Sequence, residues 1–261
     1  MSRFVVIGER IHCISPVIRK AMDEMDPEPI LKRAKEQIAA GATYIDVNIG
    51  PAESNGPELM KWAVQLIQSE CDNVALALDT ANKKAIEAGI SVYNDVNGKP
   101  LVNSADAGDR REYLDLAAAN GAACICLCSA GAVPGSVEEI QGFCMDLLEH
   151  GLMLGMEPTD MWMDPLFLVA KGMQDKQQQI FDAIKFFTEN GLNSTGGLSN
   201  VSNGMPKELR TKMDCAMIAM AMSQGLTSAI INPNDKNMMD MIKSCDILKD
   251  RYMYADSYLD L

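Results

Sequence analysis

Short strand-like segments and longer helix-like segments alternate along most of this 261-residue chain. Apolar runs and period-two patterns predict eight strands, at residues 4–8, 44–48, 74–79, 101–103, 123–128, 161–164, 193–200 and 228–231. Helical spacing predicts eight helices, at residues 30–40, 57–71, 83–88, 109–120, 136–150, 174–190, 207–224 and 237–250. This alternation favours an α/β fold with a parallel sheet, and eight repeats close naturally into a (β/α)8 TIM barrel.

Local signals support the repeat and a single domain. Ser136 and Glu139 form a capping-box pattern, and a glycine follows six of the predicted helices, namely Gly41, Gly89, Gly121, Gly151, Gly191 and Gly225. An open doubly wound sheet is the alternative, but no Gly-x-Gly-x-x-Gly pattern follows the first predicted strand. Because no linker or low-complexity tract interrupts the pattern, we expect one domain over residues 1–261.

The chain is acidic, with 36 Asp and Glu residues against 23 Lys and Arg residues and a formal charge of −13. We therefore expect neither nucleic acid nor a membrane as a partner. No apolar stretch approaches the roughly 20 residues of a membrane span, and residues 1–8 lack a signal-peptide core, so we expect a cytoplasmic protein. Eight cysteines without paired Cys-x-x-Cys spacing predict reduced thiols, and with only two histidines we expect no protein-ligated metal.

Polar side chains end four short apolar runs: Asp79 follows 75–78, Asn103 follows 101–102, Asp164 follows 161–163 and Asn200 follows 197–199. Active sites of such barrels lie at the carboxyl ends of the strands, so we expect these side chains to converge. The same rule also selects Glu9, Arg10, Asp46, Asn48, Asn82, Ser104, Ser129, Ser202, Asn232 and Asn234. Carboxylates accept hydrogen bonds and amides donate and accept them, which suits a neutral heterocycle such as a reduced pterin.

The sequence carries neither a serine-hydrolase elbow nor a phosphate-binding loop, so we expect a site that aligns a group for transfer. Each of the four residues also has a purely structural interpretation. Asp79 before Thr80 can cap a helix, and Asp164 before Pro165 can open a turn. Four such residues at matching strand ends favour a binding site.

Six ordered motifs carry a resemblance that spans nearly the whole chain. They are Ile7-Gly8-Glu9-Arg10-Ile11, Asp46-Val47-Asn48-Ile49-Gly50-Pro51, Leu78-Asp79-Thr80-Ala81-Asn82, Val102-Asn103-Ser104, Met163-Asp164-Pro165 and Gly197-Leu198-Ser199-Asn200-Val201-Ser202. They resemble the signatures of the pterin-binding methyltransferases. The resemblance is strongest to the stand-alone methyltetrahydrofolate:corrinoid methyltransferases, including those that return methyl groups from methylcorrinoids in methylamine or betaine breakdown. The tail at residues 254–258 resembles theirs too.

This resemblance implies a pterin-binding barrel, usually a homodimer, that moves a methyl group between N5 of tetrahydrofolate and the cobalt of a cobalamin. No Asp-x-His-x-x-Gly segment is present, so the cobalamin would be free or carried by a separate corrinoid protein. By the resemblance, Asp79, Asn103 and Asp164 bind the pterin ring, and Asn200 approaches N5, with Glu9 and Asn48 nearby. Asn200 and Asp79 are the expected catalytic pair, Asn200 as acceptor and Asp79 through a water that delivers the proton.

Two departures from the family pattern bear on the site. His12 stands where relatives often have Asn, and the stretch after Asn200 is longer than expected. The arginine that relatives use near the pterin therefore corresponds to Arg210, or another register places Glu208 there.

Two rival functions remain open at this stage. One is an enzyme similar to dihydropteroate synthase, which would need a basic pocket for a pyrophosphate leaving group. The acidic composition disfavours it. The other is a non-catalytic module that binds folate or a corrinoid protein without methyl exchange.

Overall fold

In a computed structural model, which describes residues 3–257, eight parallel strands alternate with helices. The strands are Val5–His12 (β1), Tyr44–Asn48 (β2), Ala75–Asp79 (β3), Leu101–Asp106 (β4), Ala123–Leu127 (β5), Met161–Asp164 (β6), Asn193–Ser194 (β7) and Ser228–Ile231 (β8). The helices are Pro16–Glu24 (α1), Pro27–Ala39 (α2), Gly56–Glu70 (α3), Lys83–Ile90 (α4), Glu112–Ala119 (α5), Val137–Met153 (α6), Gln177–Glu189 (α7), Lys207–Gln224 (α8) and Lys236–Leu248 (α9). The sheet order β7-β6-β5-β4-β3-β2-β1-β8 confirms the predicted TIM barrel.

The barrel closes between β7 and β8 with few backbone bonds. One isolated bridge pairs Gly197 with Ile230, and the Ile230 N–H donates to the Gly196 carbonyl at 2.9 Å. Below it, the Ser194 N–H donates to Thr227 Oγ1 at 2.8 Å, and Thr227 Oγ1 donates back to the Ser194 carbonyl at 2.8 Å. Side chains therefore supply part of the pairing that a ladder supplies elsewhere.

Two predictions about elements are wrong. The strand predicted at residues 193–200 is only the two-residue β7, and Leu198–Asn200 form a 3-10 turn, because the regular ladder ends before the glycines at 196 and 197, which leave one isolated bridge to Ile230. Helix α1 was not predicted at all, because its buried side chains are only Ile18, Ala21 and Met22. A pattern of three apolar residues over one short helix is too brief to stand out.

Two of the six glycine caps are also wrong, because Gly89 and Gly151 lie inside α4 and α6. A Cβ at Gly151 would lie 2.2 Å from Met161 Sδ, and one at Gly89 would lie 2.6 Å from Met60 Cγ. These glycines are explained by close packing of the helices rather than by helix termination.

The inside of the barrel has an apolar lower layer and a polar upper layer. The lower layer is built by side chains that point inward, namely Ile7, Ala77, Leu101, Ala123 and Ile125, with Tyr44 and Trp162 packed against them. Successive strand side chains alternate between faces, so the residue two positions on shares the inward face. That places Glu9, Asp46, Asp79, Asn103 and Asp164 directly above the apolar layer. The larger core clusters fill the space between sheet and helices.

Irregular strand pairing orients two of these side chains, Glu9 and Asn103. The register of β1 against β2 shifts between Gly8 and Ile11, and that of β4 against β5 shifts between Val102 and Ala105. Glu9 lies in the first irregularity and Asn103 in the second. An extra residue in one strand bends it and turns side chains toward the end of the sheet, a common arrangement beside binding sites.

No helix within residues 3–257 is both long and apolar enough to cross a bilayer. Of the tail motif, Tyr258 lies outside the described residues.

Candidate functional site

A cavity of about 710 Å³ opens at the carboxyl ends of the strands. Seven of the eight residues predicted to bind substrate line it, namely Glu9, Asn48, Asp79, Asn103, Asp164, Asn200 and Arg210. Its volume falls within the range of about 300–1,000 Å³ that small-molecule sites occupy. The strand-end rule therefore brings together the side chains that it selected, although their binding role stays a prediction.

The floor of the cavity is a chain of hydrogen-bonded carboxyl and amide groups. Asn103 Nδ2 donates to Asp46 Oδ1 at 3.0 Å, and Asn48 Nδ2 donates to Asp79 Oδ2. Asn48 Oδ1 in turn accepts from the Gly50 N–H at 3.0 Å. Asn48 therefore uses its donor on Asp79 and its acceptor on Gly50, whereas the Asn103 oxygen has no partner among the described residues and is available to a ligand.

Asp46 and Asp79 are neighbouring buried carboxyl groups whose pKa values are both raised. Burial, and then the charge of Asp79, raise the pKa of Asp46 well above its usual range. Burial also raises the pKa of Asp79 to about 6, although hydrogen bonds from Asn48 and Asp46 and the charge of Arg110 act in the opposite direction. Two neighbouring carboxylates are costly to ionise together in a buried site, so these shifts favour retention of a proton by the pair.

Asp164 presents one free carboxylate oxygen to the cavity. Its Oδ1 accepts the Leu166 N–H at 2.8 Å, and its Oδ2 has no partner within residues 3–257. Burial raises the pKa of Asp164 to about 7. Leu166 adopts a φ of 66°, a strained backbone conformation for a branched residue, which is more common at ligand sites than elsewhere. Asp164 therefore both opens the predicted turn before Pro165 and lines the cavity.

Asn200 and Arg210 reach the cavity from the connection between β7 and α8. Asn200 ends the 3-10 turn, is exposed, and its Oδ1 accepts only a long 3.5 Å contact from Asn203 Nδ2. Arg210 lies in the first turns of α8, and its Nε donates to the Met205 carbonyl at 3.1 Å. Glu208 instead lines a separate groove beside α9. Of the two possible registers, the structure places Arg210 at the cavity.

Ser202 does not line the cavity. It is 2% exposed, and its Oγ donates to Asp214 Oδ2 at 2.8 Å. Glu9 does line the cavity, but one of its oxygens accepts the Ser199 hydroxyl at 2.5 Å. Burial raises the pKa of Glu9. His12 lies at the rim, where burial and then the charge of Arg10 lower its pKa, which favours the neutral imidazole.

The apolar wall of the cavity was not predicted from the sequence, because only polar side chains were selected at the strand ends. It consists of Ile14, Leu127, Leu166 and Ile230. Leu127 and Ile230 could have been found from strand alternation, because Leu127 shares the inward face with Ile125. No signal in the sequence marks Ile14, which is 75% exposed in the loop before α1. Within residues 3–257, no group of three or more His, Cys, Asp or Glu side chains has an arrangement that could hold a metal ion.

The family model described as "Pterin binding enzyme" matches residues 15–232, which include most of the strand ends that build the cavity. The chain belongs to the pterin-binding enzyme family. The resemblance to this family seen in the six motifs is thereby confirmed.

Named relatives of this pterin-binding chain include methyltransferases. It is 28% identical over 252 residues to a methylcorrinoid:tetrahydrofolate methyltransferase of Eubacterium limosum, a match that covers 94% of this chain and 90% of that protein. It is 26% identical over 247 residues to a methionine synthase of Mycobacterium leprae, a match that covers 87% of this chain but only 20% of that longer protein.

Solved structures confirm the fold. A dihydropteroate synthase of Yersinia pestis superposes with a TM-score of 0.72 at 18% identity, covering 96% of this chain and 94% of that one. The enzyme of Vibrio fischeri superposes with a TM-score of 0.71 at 18% identity, covering 96% and 95%. At this identity the likeness shows a shared barrel and nothing about the reaction.

Proposed function

We propose that this protein is a corrinoid-dependent methyltransferase that moves a methyl group between N5 of tetrahydrofolate and the cobalt of a corrinoid. The observation that carries the proposal is the convergence of Asp79, Asn103, Asp164 and Asn200 on one cavity at the open end of the barrel. Three of these groups retain an oxygen or nitrogen without a strong protein partner, which a pterin edge can satisfy. The similarity to the methyltransferase of Eubacterium limosum over almost the full length supports the same reaction class.

The binding roles follow from the free atoms in the cavity. The Asp164 oxygen that lacks a partner suits the amino group of the pyrimidinone ring, and the Asn103 oxygen suits a ring N–H. Asn48 acts by holding Asp79, since both polar atoms of its amide are engaged. Arg210 supplies a positive charge at the mouth of an otherwise acidic cavity.

In one direction, the methyl group moves from the methylcorrinoid to tetrahydrofolate. The N5 lone pair attacks the methyl carbon, the Co–C bond breaks, both of its electrons stay on cobalt as Co(III) becomes Co(I), and the N5 proton leaves. The Asn200 carbonyl oxygen accepts the hydrogen bond of the cationic N5–H that exists before this proton is lost. The Asp46 and Asp79 carboxyl pair can take up or return that proton through water. In the reverse direction the same contacts protonate N5 and make it a leaving group.

We propose that residues 1–261 form one domain and that the partner is a separate corrinoid protein or free cobalamin. We also propose a role in one-carbon metabolism. Eight free cysteines suit the reducing cytoplasm.

A homodimer is supported by exposed apolar side chains on α8, namely Leu209, Met213 and Met220. Sedimentation of the purified protein tests it.

Cobalamin spectroscopy tests the reaction. The protein is mixed anaerobically with methylcobalamin and tetrahydrofolate, and we expect the methyl-Co(III) absorbance to be replaced by that of cob(I)alamin, with an equal amount of 5-methyltetrahydrofolate formed. The reverse mixture should undo the change. If neither direction proceeds with free cobalamin or with cobalamin bound to a corrinoid protein, the proposed reaction is wrong. Retained tetrahydrofolate binding would then indicate a non-catalytic module.

The same protein preparation tests the dihydropteroate-synthase alternative. The described cavity wall carries four carboxyl groups, Glu9, Asp46, Asp79 and Asp164, against the single arginine Arg210. Such a cavity repels a pyrophosphate leaving group. We expect no pyrophosphate release from a pterin pyrophosphate with 4-aminobenzoate, and release would favour the alternative.

A further inference from the structure

Two carboxylates hold the chain around Asn200 through hydroxyl groups. Glu9 of β1 accepts the Ser199 hydroxyl at 2.5 Å, and Asp214 of α8 accepts the Ser202 hydroxyl at 2.8 Å. A third pair of the same kind lies further along, where Asp235 accepts the Thr211 hydroxyl at 2.7 Å. The first two pairs involve Ser199, immediately before Asn200, and Ser202, two residues after it, whereas the third joins α8 to the residue that caps α9.

These carboxylates face a common small space. A cavity of about 40 Å³ is bounded by Glu9, Ser199, Asp214 and Asp235, together with Asn232 and apolar side chains. Asp214 Oδ1 is buried there without a hydrogen-bond partner in the described part of the chain. Burial raises the pKa of Asp214 to about 6, and burial, with a smaller contribution from the charge of Asp214, raises the pKa of Glu9. Buried carboxyl groups with an unsatisfied oxygen cost folding free energy, so their presence here calls for an explanation other than stability.

We propose that Glu9 and Asp214 are positioning residues that fix Asn200 for methyl transfer through Ser199 and Ser202. This inference rests on the proposed function of Asn200. It assigns to Ser202 a role away from the substrate, and it assigns to Glu9 a second role besides its place in the cavity wall.

Local geometry explains why such fixing is needed here. Asn200 stands on the connection that leaves the sheet after two residues of β7, so no strand ladder holds it. Most backbone bonds of the turn are short-range, such as those from the Asn200 N–H to the Gly197 carbonyl at 3.3 Å and from the Asn203 N–H to the Asn200 carbonyl at 3.1 Å, and one longer-range bond runs from the Ala170 N–H to the Val201 carbonyl at 2.9 Å. The bonds of Ser199 to β1 and of Ser202 to α8 tie the turn to two rigid elements. A displacement of about 1 Å at a reacting group lowers a rate by as much as about 100-fold.

Hydrogen exchange tests the positioning without any need for activity. In Ser202→Ala, we expect the amides of residues 200–205 to exchange roughly 10-fold faster than in the wild type. Thr211→Val is the matched control, because it removes the same kind of bond outside this turn, and it should leave these amides unchanged. Equal exchange in Ser202→Ala and the wild type, or equal acceleration by Thr211→Val, would overturn the proposal.

Kinetics tests that the effect passes through Asn200. Ser202→Ala should lower kcat for methyl transfer about 10-fold while the KM for tetrahydrofolate changes less than about 2-fold. In an Asn200→Ala background, Ser202→Ala should have no further effect on kcat, since the group that it positions is gone. Additive losses would contradict the proposal. An inactive wild type would refute the methyl-transfer function, and the exchange comparison would still decide whether Ser202 fixes the turn.

Discussion

Asp164 shows how a buried carboxyl group in the cavity can lower the stability of the fold. Its pKa is raised to about 7 by burial, so the folded state binds more protons than the unfolded state between its ordinary pKa of 3.8 and about pH 7. The free energy of unfolding therefore falls as the pH rises through this window, and above it the full cost of burying the charge is present. A bound pterin that donates to the free oxygen would offset that cost.

Replacement of Asp164 by Asn should reverse this balance. At pH 8 we expect Asp164→Asn to raise the free energy of unfolding by on the order of 1 kcal/mol, or a few degrees in Tm, with almost no gain at pH 4. Tetrahydrofolate binding measured by calorimetry should be lost. Asp175→Asn, at an exposed position, is the control. An unchanged tetrahydrofolate affinity in Asp164→Asn would refute its place in the site.

Asn200 should affect the reaction more than binding. Because its carbonyl oxygen is proposed to meet the N5–H only as the reaction proceeds, Asn200→Ala should lower the methyl-transfer rate about 10- to 100-fold with the fold intact. Single-turnover cobalamin spectroscopy measures the rate, and circular dichroism checks the fold. Asn190→Ala serves as the control, because Asn190 caps the C-terminal end of α7 and does not line the cavity. Transfer at the wild-type rate would exclude this role.

Among the elements, the short strands with a clear apolar run were the easiest to predict. The predicted strands at residues 44–48, 161–164 and 228–231 match β2, β6 and β8 to the residue, because buried apolar runs between turn signals have few alternatives. β1 and β4 run further than predicted, to His12 and Asp106, because an irregular register breaks the period-two pattern at Glu9 and Asn103. Irregular pairing thus interrupts the period-two pattern at these residues, and it also orients their side chains in the fold.

Thr227 supplies two of the hydrogen bonds that join β7 and β8. Thr227→Val removes both 2.8 Å bonds to Ser194 and leaves a buried Ser194 N–H unsatisfied, so we expect a loss of about 1–3 kcal/mol in the free energy of unfolding. Urea denaturation measures it. Thr43→Val is a matched control, since Thr43 stands just before β2 in the same way but makes only a 3.4 Å contact to the Val6 carbonyl. Equal losses in the two variants would show that the junction is not specially dependent on Thr227.

At the scale of the whole molecule, the two ends of the described chain are joined below the barrel, opposite the cavity. Asp246 accepts the Phe4 N–H at 3.3 Å and lies 3.5 Å from Arg251, and both charged side chains are less than 10% exposed. Arg251 also donates to the Leu226 carbonyl at 3.5 Å. A buried ion pair adds little net stability, but loss of one partner leaves an uncompensated charge.

Arg251→Met should therefore destabilise the protein by about 3 kcal/mol without changing kcat at 25 °C, because the site lies at the other end of the barrel. Chemical denaturation and the cobalamin assay measure the two quantities. The double variant Asp246→Asn/Arg251→Met should recover part of the stability. A fall in kcat without loss of stability would show that the two ends of the barrel are coupled.

The short β7 has a consequence for how this fold diversifies. The strand ends that present Asp79, Asn103 and Asp164 are each paired with a neighbouring strand, so a change in length there would disturb that strand. The segment after β7 makes one isolated bridge, from Gly197 to Ile230, and the residues beyond it can be gained, lost or exchanged while the rest of the barrel is preserved. A lineage can therefore keep the strand-end side chains that line the cavity and change the chemistry at its mouth by altering one connection.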